Sequence, residues 1–321
     1  MNYVLGIDTS CYTTSVAILD EQGKLIADCR RILEVKPGAR GLQQSEMVFQ
    51  HTRNLPDLFA QACTAIDKPV RFSAIGVSAF PRPLPDSYMP AFLVGEGYAK
   101  VLALSHAAPL YRISHQENHI FAGVRSAGGP KAASFLAVHL SGGTTEIVRV
   151  SPTITLSDSG RLAIEILGGS QDIHAGQLVD RIGVLLGLSF PAGPHLESLA
   201  AQAFEPAIKI PVTIREASVS FAGPETYVRK LVAQGEVASS TIAASVELCV
   251  ARAVTAMIKY AVANTGLNDV LLVGGVMANQ CIRKYLIDQL INTNTAKLHF
   301  PDTVYSPDNA TGAAYFALTC Q

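Results

Sequence analysis

Charged residues are scarce in this sequence, and so are the patterns that mark several common classes of protein. Only 16% of its 321 residues are Asp, Glu, Lys or Arg, and the formal net charge is −1. Such a chain lacks the basic surface of a protein that binds nucleic acid unaided, so a polynucleotide substrate would require a local patch or a partner protein. No tract rich in Pro, Gly or Ser and no run of like charge interrupts the chain, so we expect any lobes to pack closely.

Cysteine motifs and membrane signals are lacking as well. The six cysteines stand far apart without a C-x-x-C pair, which is typical of reduced, mostly buried thiols rather than of a disulfide framework or a cysteine metal site. No basic leader precedes the first apolar run, and Asp8 follows it closely, so we expect no signal peptide. We also expect no apolar stretch of the roughly 18 residues that cross a bilayer. These features predict a cytoplasmic protein.

The 49% of hydrophobic residues is enough for the cores of two lobes. β-branched and apolar residues, separated by turn residues, predict that the chain opens with a meander of three antiparallel strands. The strands of this meander are expected at residues 3–8, 15–20 and 25–31. Later strands are expected at 74–77, 110–113, 134–140, 146–150 and 269–273. Helices are expected at 43–65, 88–104 and 240–264. Three more are expected: one that starts at about residue 115, one that follows the glycine pair and ends at about 290, and a last one that ends at about 319.

The second half of the chain repeats the opening. Residues 6–14 and 137–145 both read as a strand, a loop of small and hydroxyl residues and a second strand. An internal duplication predicts two similar lobes that face each other, with both loops directed into the cleft between them.

Three segments carry groups suited to phosphate oxygens. The loops at 9–14 and 141–145 are rich in N–H and O–H donors, although either alone is more often a plain turn. Gly274 and Gly275 follow a strand and open a helix, so backbone N–H groups can approach a ligand closely. Together the three predict a nucleotide site. No G-x-G-x-x-G opens a helix after a strand, which disfavours a dinucleotide-binding fold.

His115 and His119 are four residues apart, so on a helix they share a face and can chelate one cation. Two histidines at this spacing can also be ordinary surface residues. Asp308, before the last helix, is the candidate third ligand. A metalloprotease needs a glutamate directly after the first histidine, whereas Glu117 comes two residues later and points about 200° away around the helix.

Two aspartates precede a further apolar helical stretch. Asp172 is compatible with a helix cap, and Asp180 with one half of a surface ion pair. The segment 191–194 contains two prolines and a glycine, and forms a stiff turn that a ribose could approach.

Taken in order, these motifs resemble those of the TsaD-type threonylcarbamoyltransferases, formerly called glycoproteases, over essentially the whole chain. The family's G-I-[DE]-T-S-C, H-x-E-x-H, G-G-V-x-x-N and D-N-A motifs match residues 6–11, 115–119, 274–279 and 308–310. Its V-S-G-G-H-T, A-G-E-A-F-D-K, L-L-G-L-x-[FY]-P-G-G-P and F-S-F-[SA]-G segments look like residues 140–145, 175–181, 185–194 and 219–223.

The resemblance implies a two-lobed α/β fold of the actin, Hsp70 and sugar-kinase type (ASKHA), with duplicated β-meander lobes and an interdomain nucleotide cleft. We expect residues 1–113 and 308–321 to form the N-terminal lobe. Residues 114–307 would then form the C-terminal lobe and carry the metal and nucleotide motifs.

The implied reaction is metal-dependent transfer of a threonylcarbamoyl group from threonylcarbamoyl-adenylate to N6 of adenosine 37 in tRNA. One divalent cation (Zn, Fe or Mg) would be held by His115, His119 and Asp308, and Asp8 and Thr13 would be catalytic. The adenine nucleotide or acyl-adenylate would contact Gly274 and Gly275 and a set of substrate-binding residues. This set is Leu140, Ser141, Gly142, Gly143, Thr144, Asp180, Gly193 and Asn279. The implied partners are tRNA and either TsaB-like and TsaE-like companion subunits or a homodimer partner, with no membrane.

Departures from the family pattern cluster on the acceptor side. In the family's S-C-D-E-T motif, Asp and Glu follow the cysteine. Here Tyr12 and Thr13 stand at these two positions, so two acidic side chains are missing. Its G-P-G-L is replaced by residues 80–86, the loop histidine by Thr144 and its G-L-K-T by residues 223–226. These changes predict a divergent paralogue. Two alternatives stay open: a carbamoyltransferase with a small-molecule or protein acceptor, and a catalytically weak nucleotide-binding scaffold subunit of a tRNA-modifying complex.

Overall fold

The computed structural model describes residues 2–35, 42–66, 70–84, 86–152, 162–205 and 207–321, and these residues divide into two compact units. The first contains the described residues of Met1–Gly128, Pro152–Ala163 and Val304–Gln321. The second contains those of Gly129–Ser151 and Ile164–Thr303. Each unit has its own five-stranded sheet and its own hydrophobic core.

Most of the chain lies in regular elements. The strands are β1 (Tyr3–Asp8), β2 (Thr13–Asp20), β3 (Leu25–Ile32), β4 (Phe72–Phe80), β5 (Leu110–Ser114), β6 (Phe135–Leu140), β7 (Thr145–Pro152), β8 (Leu162–Gly169), β9 (Thr213–Arg215), β10 (Ser218–Ser220), β11 (Asp269–Val273) and β12 (Lys297–His299). The helices are α1 (Gln44–Thr64), α2 (Phe92–His106), α3 (His115–Ala127), α4 (Ala175–Leu185), α5 (Gly193–Ala200), α6 (Ala222–Gln234), α7 (Ser239–Thr265), α8 (Gln280–Leu286) and α9 (Thr311–Thr319).

The sheet of the first unit has the strand order β3-β2-β1-β4-β5. Strands β1 to β3 form the expected antiparallel meander, and β4 and β5 run parallel to β1. Every residue of β1 and β2 is buried, because helices cover both faces of the sheet. Helices α1 and α2 lie on one face, and α9 packs on the other.

The sheet of the second unit repeats this arrangement in the order β12-β11-β6-β7-β8. In the first hairpin Asp8 pairs with Ser15, and in the second His139 pairs with Glu146. Both members of the second pair lie 131 positions after those of the first, as 139 − 8 and 146 − 15 show. The predicted duplication is therefore confirmed down to the register of the strands.

Helix α7 forms the centre of the second core and corrects one expectation from the sequence. By length and composition it could cross a membrane, although no apolar stretch of that length was expected. Within the protein, 78% of its most apolar 18-residue window is buried, as in the core helix of a globular unit. Charged residues such as Glu247 and Arg252 interrupt the apolar run, and inside the fold they bond to Asn279 and to the carbonyl oxygen of Ile210.

Some boundaries differ from those expected. The division between units falls after Gly128 rather than after residue 113, because α3 packs against α9 within the first unit. The helix expected up to residue 290 is three segments, a 3-10 turn (Gly275–Ala278), α8 and a π-helical turn (Ile287–Ile291). The break occurs at Asn279, which has an extended backbone and caps α8. Strand β8, the β9–β10 hairpin and helices α5 and α6 were not expected.

Glycines in the first sheet allow α9 to approach. A Cβ atom at Gly76 would overlap the carbonyl oxygen of Ala313, and one at Gly6 would overlap that of Ala310. We therefore expect Gly76→Ala to lower the free energy of unfolding by about 1–3 kcal/mol or more, as overpacked substitutions do.

Gly97→Ala is the matched control, since a Cβ at this helical position meets no atom within 4 Å. It should raise the stability by about 1 kcal/mol through helix propensity. Urea denaturation followed by circular dichroism measures both. Equal stability of Gly76→Ala and the wild type would show that α9 does not need this close approach.

Candidate active site

The candidate metal centre lies where parallel strands of the first unit end. Because β1, β4 and β5 run in the same direction, their carboxyl ends meet at one edge of the sheet. Asp8 is the last residue of β1, and Ser114, the last of β5, is followed at once by α3. The strand directions thus bring Asp8 and the start of α3 together.

The first turn of α3 is fixed by a capping box. The hydroxyl of Ser114 accepts from the backbone N–H of Glu117 at 3.1 Å, and the Glu117 carboxylate accepts from the backbone N–H of Ser114 at 2.7 Å. Glu117 is fully buried and also accepts from the backbone N–H of Leu162 at 2.9 Å. This glutamate is committed to capping, which agrees with the expectation that the motif is not that of a protease.

The three predicted metal ligands converge. The Nε2 atoms of His115 and His119 are 3.1 Å apart, and each lies 3.4 Å from Oδ1 of Asp308. Ligand atoms about 2.1 Å from one cation lie about 3.0–3.4 Å apart at angles between 90° and 109°. The observed separations fall in this range, so the donor set fits a single divalent cation.

Asn118, between the two histidines, holds Asp308 in reach. Its Nδ2 donates to the carbonyl oxygen of Asn309 at 2.6 Å and to Oδ2 of Asp8 at 3.2 Å. Its Oδ1 accepts from the backbone N–H of Ala313 at 2.8 Å. The fully buried amide thereby joins α3 to β1 and to the start of α9. It is one of the functional residues that the sequence did not reveal, although it lies within the recognised histidine motif.

The charges of the centre are strongly coupled. Burial by itself would lower the pKa of His115, but the carboxylates of Asp8 and Asp308 outweigh it and hold this pKa well above its usual range. Burial would likewise raise the pKa of Asp308, but hydrogen bonds from His115 and His119 hold it well below its usual range. The site therefore keeps a carboxylate ionised among imidazoles, and a divalent cation can replace the proton they share.

Cys11 lies beside this centre, although the sequence suggested only a structural role. Its Sγ, a nitrogen of His115 and an oxygen of Asp308 lie within 4.8 Å of one another. Burial raises the pKa of the thiol to about 11, with Asp308 and Asp8 adding to the rise and His115 opposing it. Cys11 is therefore a further candidate ligand beside the two imidazoles and the carboxylate expected from the sequence.

Asp8 and Thr13, both expected to be catalytic, are buried. The Oδ2 of Asp8 is 3.4 Å from Nδ1 of His115, and its Oδ1 accepts from the backbone N–H of Ser10 at 3.0 Å. Asp8 thus lies beside the Nδ1 atom of His115, whereas the Nε2 atom of the same ring faces Asp308. Thr13 is 8% exposed at the start of β2, whereas its neighbour Tyr12 is 41% exposed.

The loop that carries Tyr12 is anchored by His51 of α1. His51 is fully buried, its Nδ1 is 2.8 Å from the hydroxyl of Thr14 and its Nε2 is 3.1 Å from the carbonyl oxygen of Cys11. Burial lowers the pKa of this imidazole. A neutral histidine therefore spans the loop and holds its two ends.

The segment 80–86, which departs from the family pattern, is described except for Pro85.

In the second unit, the loop of residues 141–144 rests on the N-terminus of α4. The backbone N–H of Gly176 donates to the carbonyl oxygen of Ser141 at 3.1 Å, and a Cβ at Gly176 would lie 2.6 Å from the nitrogen of Gly142. Gly142 and Gly143 are exposed beside a helix N-terminus, and the backbone N–H of Gly143 donates to the hydroxyl of Ser141 at 3.2 Å. This combination suits an anion.

The glycine pair after β11 reaches the same loop. Gly274 has φ +101°, a conformation that favours glycine, and a Cβ there would overlap the carbonyl oxygen of Leu140. Gly275 is exposed, and a Cβ there would meet no atom within 4 Å. Predicted substrate-binding and nucleotide-binding residues of the second unit therefore do lie together.

Asp180 and Gly193 join this group through a hydrogen bond. Asp180 lies one turn after Gly176 on α4, and its Oδ1 accepts from the backbone N–H of Ala192 at 2.8 Å. This bond places Gly193 at the start of α5. Asp180 is thus bonded to backbone rather than to a surface cation.

Asp172 does cap a helix, but the helix is α6, which follows 50 residues later. It accepts from the backbone N–H groups of Phe221 at 2.8 Å and Ala222 at 3.3 Å.

Asn279 completes the predicted set and reveals a further buried group. Its Nδ2 donates to Oε1 of Glu247 at 2.6 Å, and its Oδ1 accepts from the backbone N–H of Ile282 at 2.8 Å. Glu247 lies on α7, 32 residues earlier. No short-range pattern in the sequence pairs these two residues, so Glu247 was not anticipated.

The sequence of this chain is similar to those of known tRNA N6-adenosine threonylcarbamoyltransferases. The TsaD family model, described as tRNA N6-adenosine threonylcarbamoyltransferase, matches residues 43–315. Proteins named tRNA N6-adenosine threonylcarbamoyltransferase from Thermus thermophilus and Aromatoleum aromaticum are 32% and 31% identical to this chain. The alignments cover 96% and 97% of this chain and 89% of each relative. A probable bifunctional tRNA threonylcarbamoyladenosine biosynthesis protein of Methanothermobacter thermautotrophicus is 28% identical, with 97% of this chain and 54% of the relative covered.

Solved structures with similar backbones have little sequence in common with this chain. HypF in its phosphate- and nucleotide-bound form has a TM-score of 0.59 at 13% identity, over 99% of this chain and 46% of its own. The activator of 2-hydroxyisocaproyl-CoA dehydratase from Clostridium difficile has a TM-score of 0.53 at 14% identity, over 99% and 94%. A ROK family glucokinase from Streptomyces griseus has a TM-score of 0.51 at 13% identity, and the match covers 99% of this chain and 100% of the glucokinase. These likenesses concern the fold alone, and they confirm the predicted two-lobed ASKHA class.

The metal centre predicts a loss of bound cation on removal of either imidazole. Wild-type protein should contain about one divalent cation per chain, and His115→Ala or His119→Ala should contain almost none, because two remaining ligands bind weakly. Elemental analysis of dialysed protein measures this. His195→Ala, which changes an exposed histidine of α5 in the other unit, should retain the cation. Equal metal content in the wild type and both ligand variants would refute the site.

Proposed function

The chain belongs to the tRNA N6-adenosine threonylcarbamoyltransferase family, and from this premise we propose that it transfers a threonylcarbamoyl group from threonylcarbamoyl-adenylate to N6 of adenosine 37 in tRNA. The observation that carries the proposal is the convergence of His115, His119 and Asp308 on one point in a member of this family. The family's metal motif thus forms a site of the right dimensions here, despite the altered loop beside it.

In this proposal the second unit binds the adenylate. The N–H groups of the 141–144 loop and the N-terminus of α4 face the phosphate, and the open space at Gly275 admits the nucleoside. Asp180, Gly193 and Asn279 surround the ribose and base. The support for these roles is their grouping around Gly176 and Gly274, together with their correspondence to family motifs.

The proposed reaction breaks the bond between the carbamoyl carbon and the phosphate oxygen and forms a bond from that carbon to N6. AMP leaves with the oxygen, and N6 gives up a proton. A bound divalent cation supplies Lewis-acid polarisation of the mixed anhydride. The protein residues hold that cation with two imidazoles and one carboxylate, and the loop N–H groups stabilise the charge that develops on the phosphate.

Asp8 is proposed as a positioning residue rather than a catalytic one. Its carboxylate lies 3.4 Å from Nδ1 of His115, so it can fix the ring with Nε2 directed to the cation. Its complete burial and its bonds to Ser10 and Asn118 support this role, because they leave it no direct access to substrate.

Companion proteins are part of the proposal. The net charge of −1 supports weak tRNA binding by the chain alone, with TsaB-like and TsaE-like subunits or a second copy supplying the remainder. A bifunctional relative, roughly half of which is covered by this chain, supports the idea that further domains take part. Because tRNA is the acceptor, the proposed location is the cytoplasm.

Single-turnover transfer of labelled threonylcarbamoyl from the adenylate to unmodified tRNA tests this function. We expect label in the tRNA with wild-type protein and its companions, and a rate about 10²-fold or more lower with His119→Ala. His195→Ala serves as the control with an intact metal centre. AMP release without label in tRNA would reject the tRNA acceptor and favour the carbamoyltransferase alternative. Neither release nor transfer would favour the scaffold alternative.

The same assay tests the missing acidic residues. Tyr12 is 41% exposed, so Tyr12→Asp can restore one carboxylate without burying a charge. We expect this variant to bind the adenylate as the wild type does and to transfer it up to about 10²-fold faster, since one well-placed acid or base contributes on that scale. Tyr12→Phe keeps the ring without the acid and should give no gain. A wild type that is already fast and gains nothing from Asp would show that the loop change is neutral.

A further inference from the structure

Glu247 is an acidic residue in the apolar core of the second unit. It lies on α7 with 3% of its surface exposed. Its hydrogen-bond partners are an amide and a thiol: Nδ2 of Asn279 donates to its Oε1 at 2.6 Å, and Cys281 is bonded to it as well. Neither partner carries a positive charge. A carboxylate held in this way is costly to the fold, so its presence requires an explanation.

The partner of Glu247 is a side chain of the proposed adenylate site. The Oδ1 of Asn279 accepts from the backbone N–H of Ile282 at 2.8 Å and caps α8, while its Nδ2 donates to Glu247. Both ends of the amide are therefore specified, and the second hydrogen on Nδ2 is the one left for a ligand. The ionised carboxylate of Glu247 fixes this orientation of the Asn279 amide. It can only accept hydrogen bonds, so the NH₂ group of Asn279, and not its oxygen, must face it.

The same contacts tie the glycine turn to α5. The backbone N–H of Gln280, next to Asn279, donates to Oε1 of Glu197 at 2.7 Å. Glu197 lies on α5, the helix that begins at Gly193. The Asn279 amide thus stands at the junction of three segments proposed to surround the nucleoside.

Glu247 changes charge near neutral pH. Burial raises its pKa to about 7; hydrogen bonds from Asn279 and Cys281 oppose the rise, and the nearby charge of Glu197 adds to it. Cys281 on α8 and Glu197 on α5 are the titratable groups that act on it. The thiol of Cys281 has a pKa raised by burial and by Glu247, so it stays protonated in this range.

We propose that Glu247 is the positioning residue of the adenylate site, whose ionised carboxylate sets the Asn279 amide for nucleotide and whose protonation releases it. The inference rests on the proposed function, because it takes Asn279 as a nucleotide ligand. When Glu247 is protonated, the charge-assisted bond to Nδ2 weakens, and the new hydroxyl competes for Oδ1. The amide then loses its fixed orientation, and nucleotide affinity falls.

Calorimetric titration with AMP between pH 5.5 and 8.5 tests the inference. Wild-type affinity should be constant above pH 7 and about tenfold lower at pH 5.5, the scale of one hydrogen bond. Glu247→Gln, like the protonated acid, offers one acceptor and one donor at every pH, so its affinity should be independent of pH and close to that of the wild type at pH 5.5. Glu236→Gln, a change at an exposed glutamate of the same unit, should follow the wild type. A flat wild-type profile, or an unaltered profile in Glu247→Gln, would overturn the proposal.

A variant outside the Glu247 contacts separates this proposal from the proposed site itself. A Cβ at Gly275 meets no atom within 4 Å, so we expect Gly275→Val to fold, with its side chain in the space assigned to the nucleoside. It should lower AMP affinity at least about tenfold at all pH values. If Gly275→Val binds as the wild type does, the nucleotide site is wrongly placed and the role of Glu247 falls with it. If Gly275→Val blocks binding while the pH profile is flat, only the role of Glu247 fails.

Stability without nucleotide supplies a second readout. The pKa of Glu247 is raised from 4.5 to about 7 in the folded protein, so the cost of its charge is absent below pH 4.5, grows as the pH rises from there to 7, and is constant at higher pH. Glu247→Gln should therefore raise the midpoint of thermal unfolding at pH 8.5 and leave it unchanged below pH 4.5. No gain at pH 8.5 would show that Glu247 is not the group that titrates, and would overturn the proposal.

Discussion

The metal centre depends on one buried amide. Asn118 bonds simultaneously to the carboxylate of Asp8, to the carbonyl oxygen of Asn309 and to the backbone N–H of Ala313, the last 195 residues away in the chain. These bonds bring the start of α9 against α3, and the absence of a side chain at Gly312 lets the two helices approach. Asp308 reaches both histidines only because this junction is closed.

The two units place different residue types at the same point of a shared topology. In the first unit the parallel strands end at imidazoles and carboxylates, while in the second the equivalent edge presents glycines and hydroxyls. The duplicated scaffold thus carries a candidate cation-binding site in one copy and a loop proposed to bind phosphate in the other. The division follows from side chains at strand ends, where backbone geometry is shared and residue type is free to vary.

The departures from the family pattern at Tyr12 and Thr13 lie on a loop beside the metal centre. Tyr12 is exposed on a loop that His51 and Leu33 hold by its backbone, so its side chain can change without cost to the fold. Glu247 has the opposite character, since it is buried and burial raises the pKa of its carboxyl to about 7. A buried group that is costly to the fold and bonded to a site residue is typical of positions retained for function.

Short-range patterns determined much of this protein. The period of the strands, the repeat of the hairpin loop and the spacing of His115 and His119 depend on neighbours within a few residues, so the meander, the duplication and the histidine helix were predictable. Only the tertiary structure decided which groups meet. The distance from Asp308 to the imidazoles, the role of Asn118, the burial of α7 and the pairing of Glu247 with Asn279 depend on packing between distant elements. Many such pairings are compatible with one sequence pattern, and the folded core selects among them.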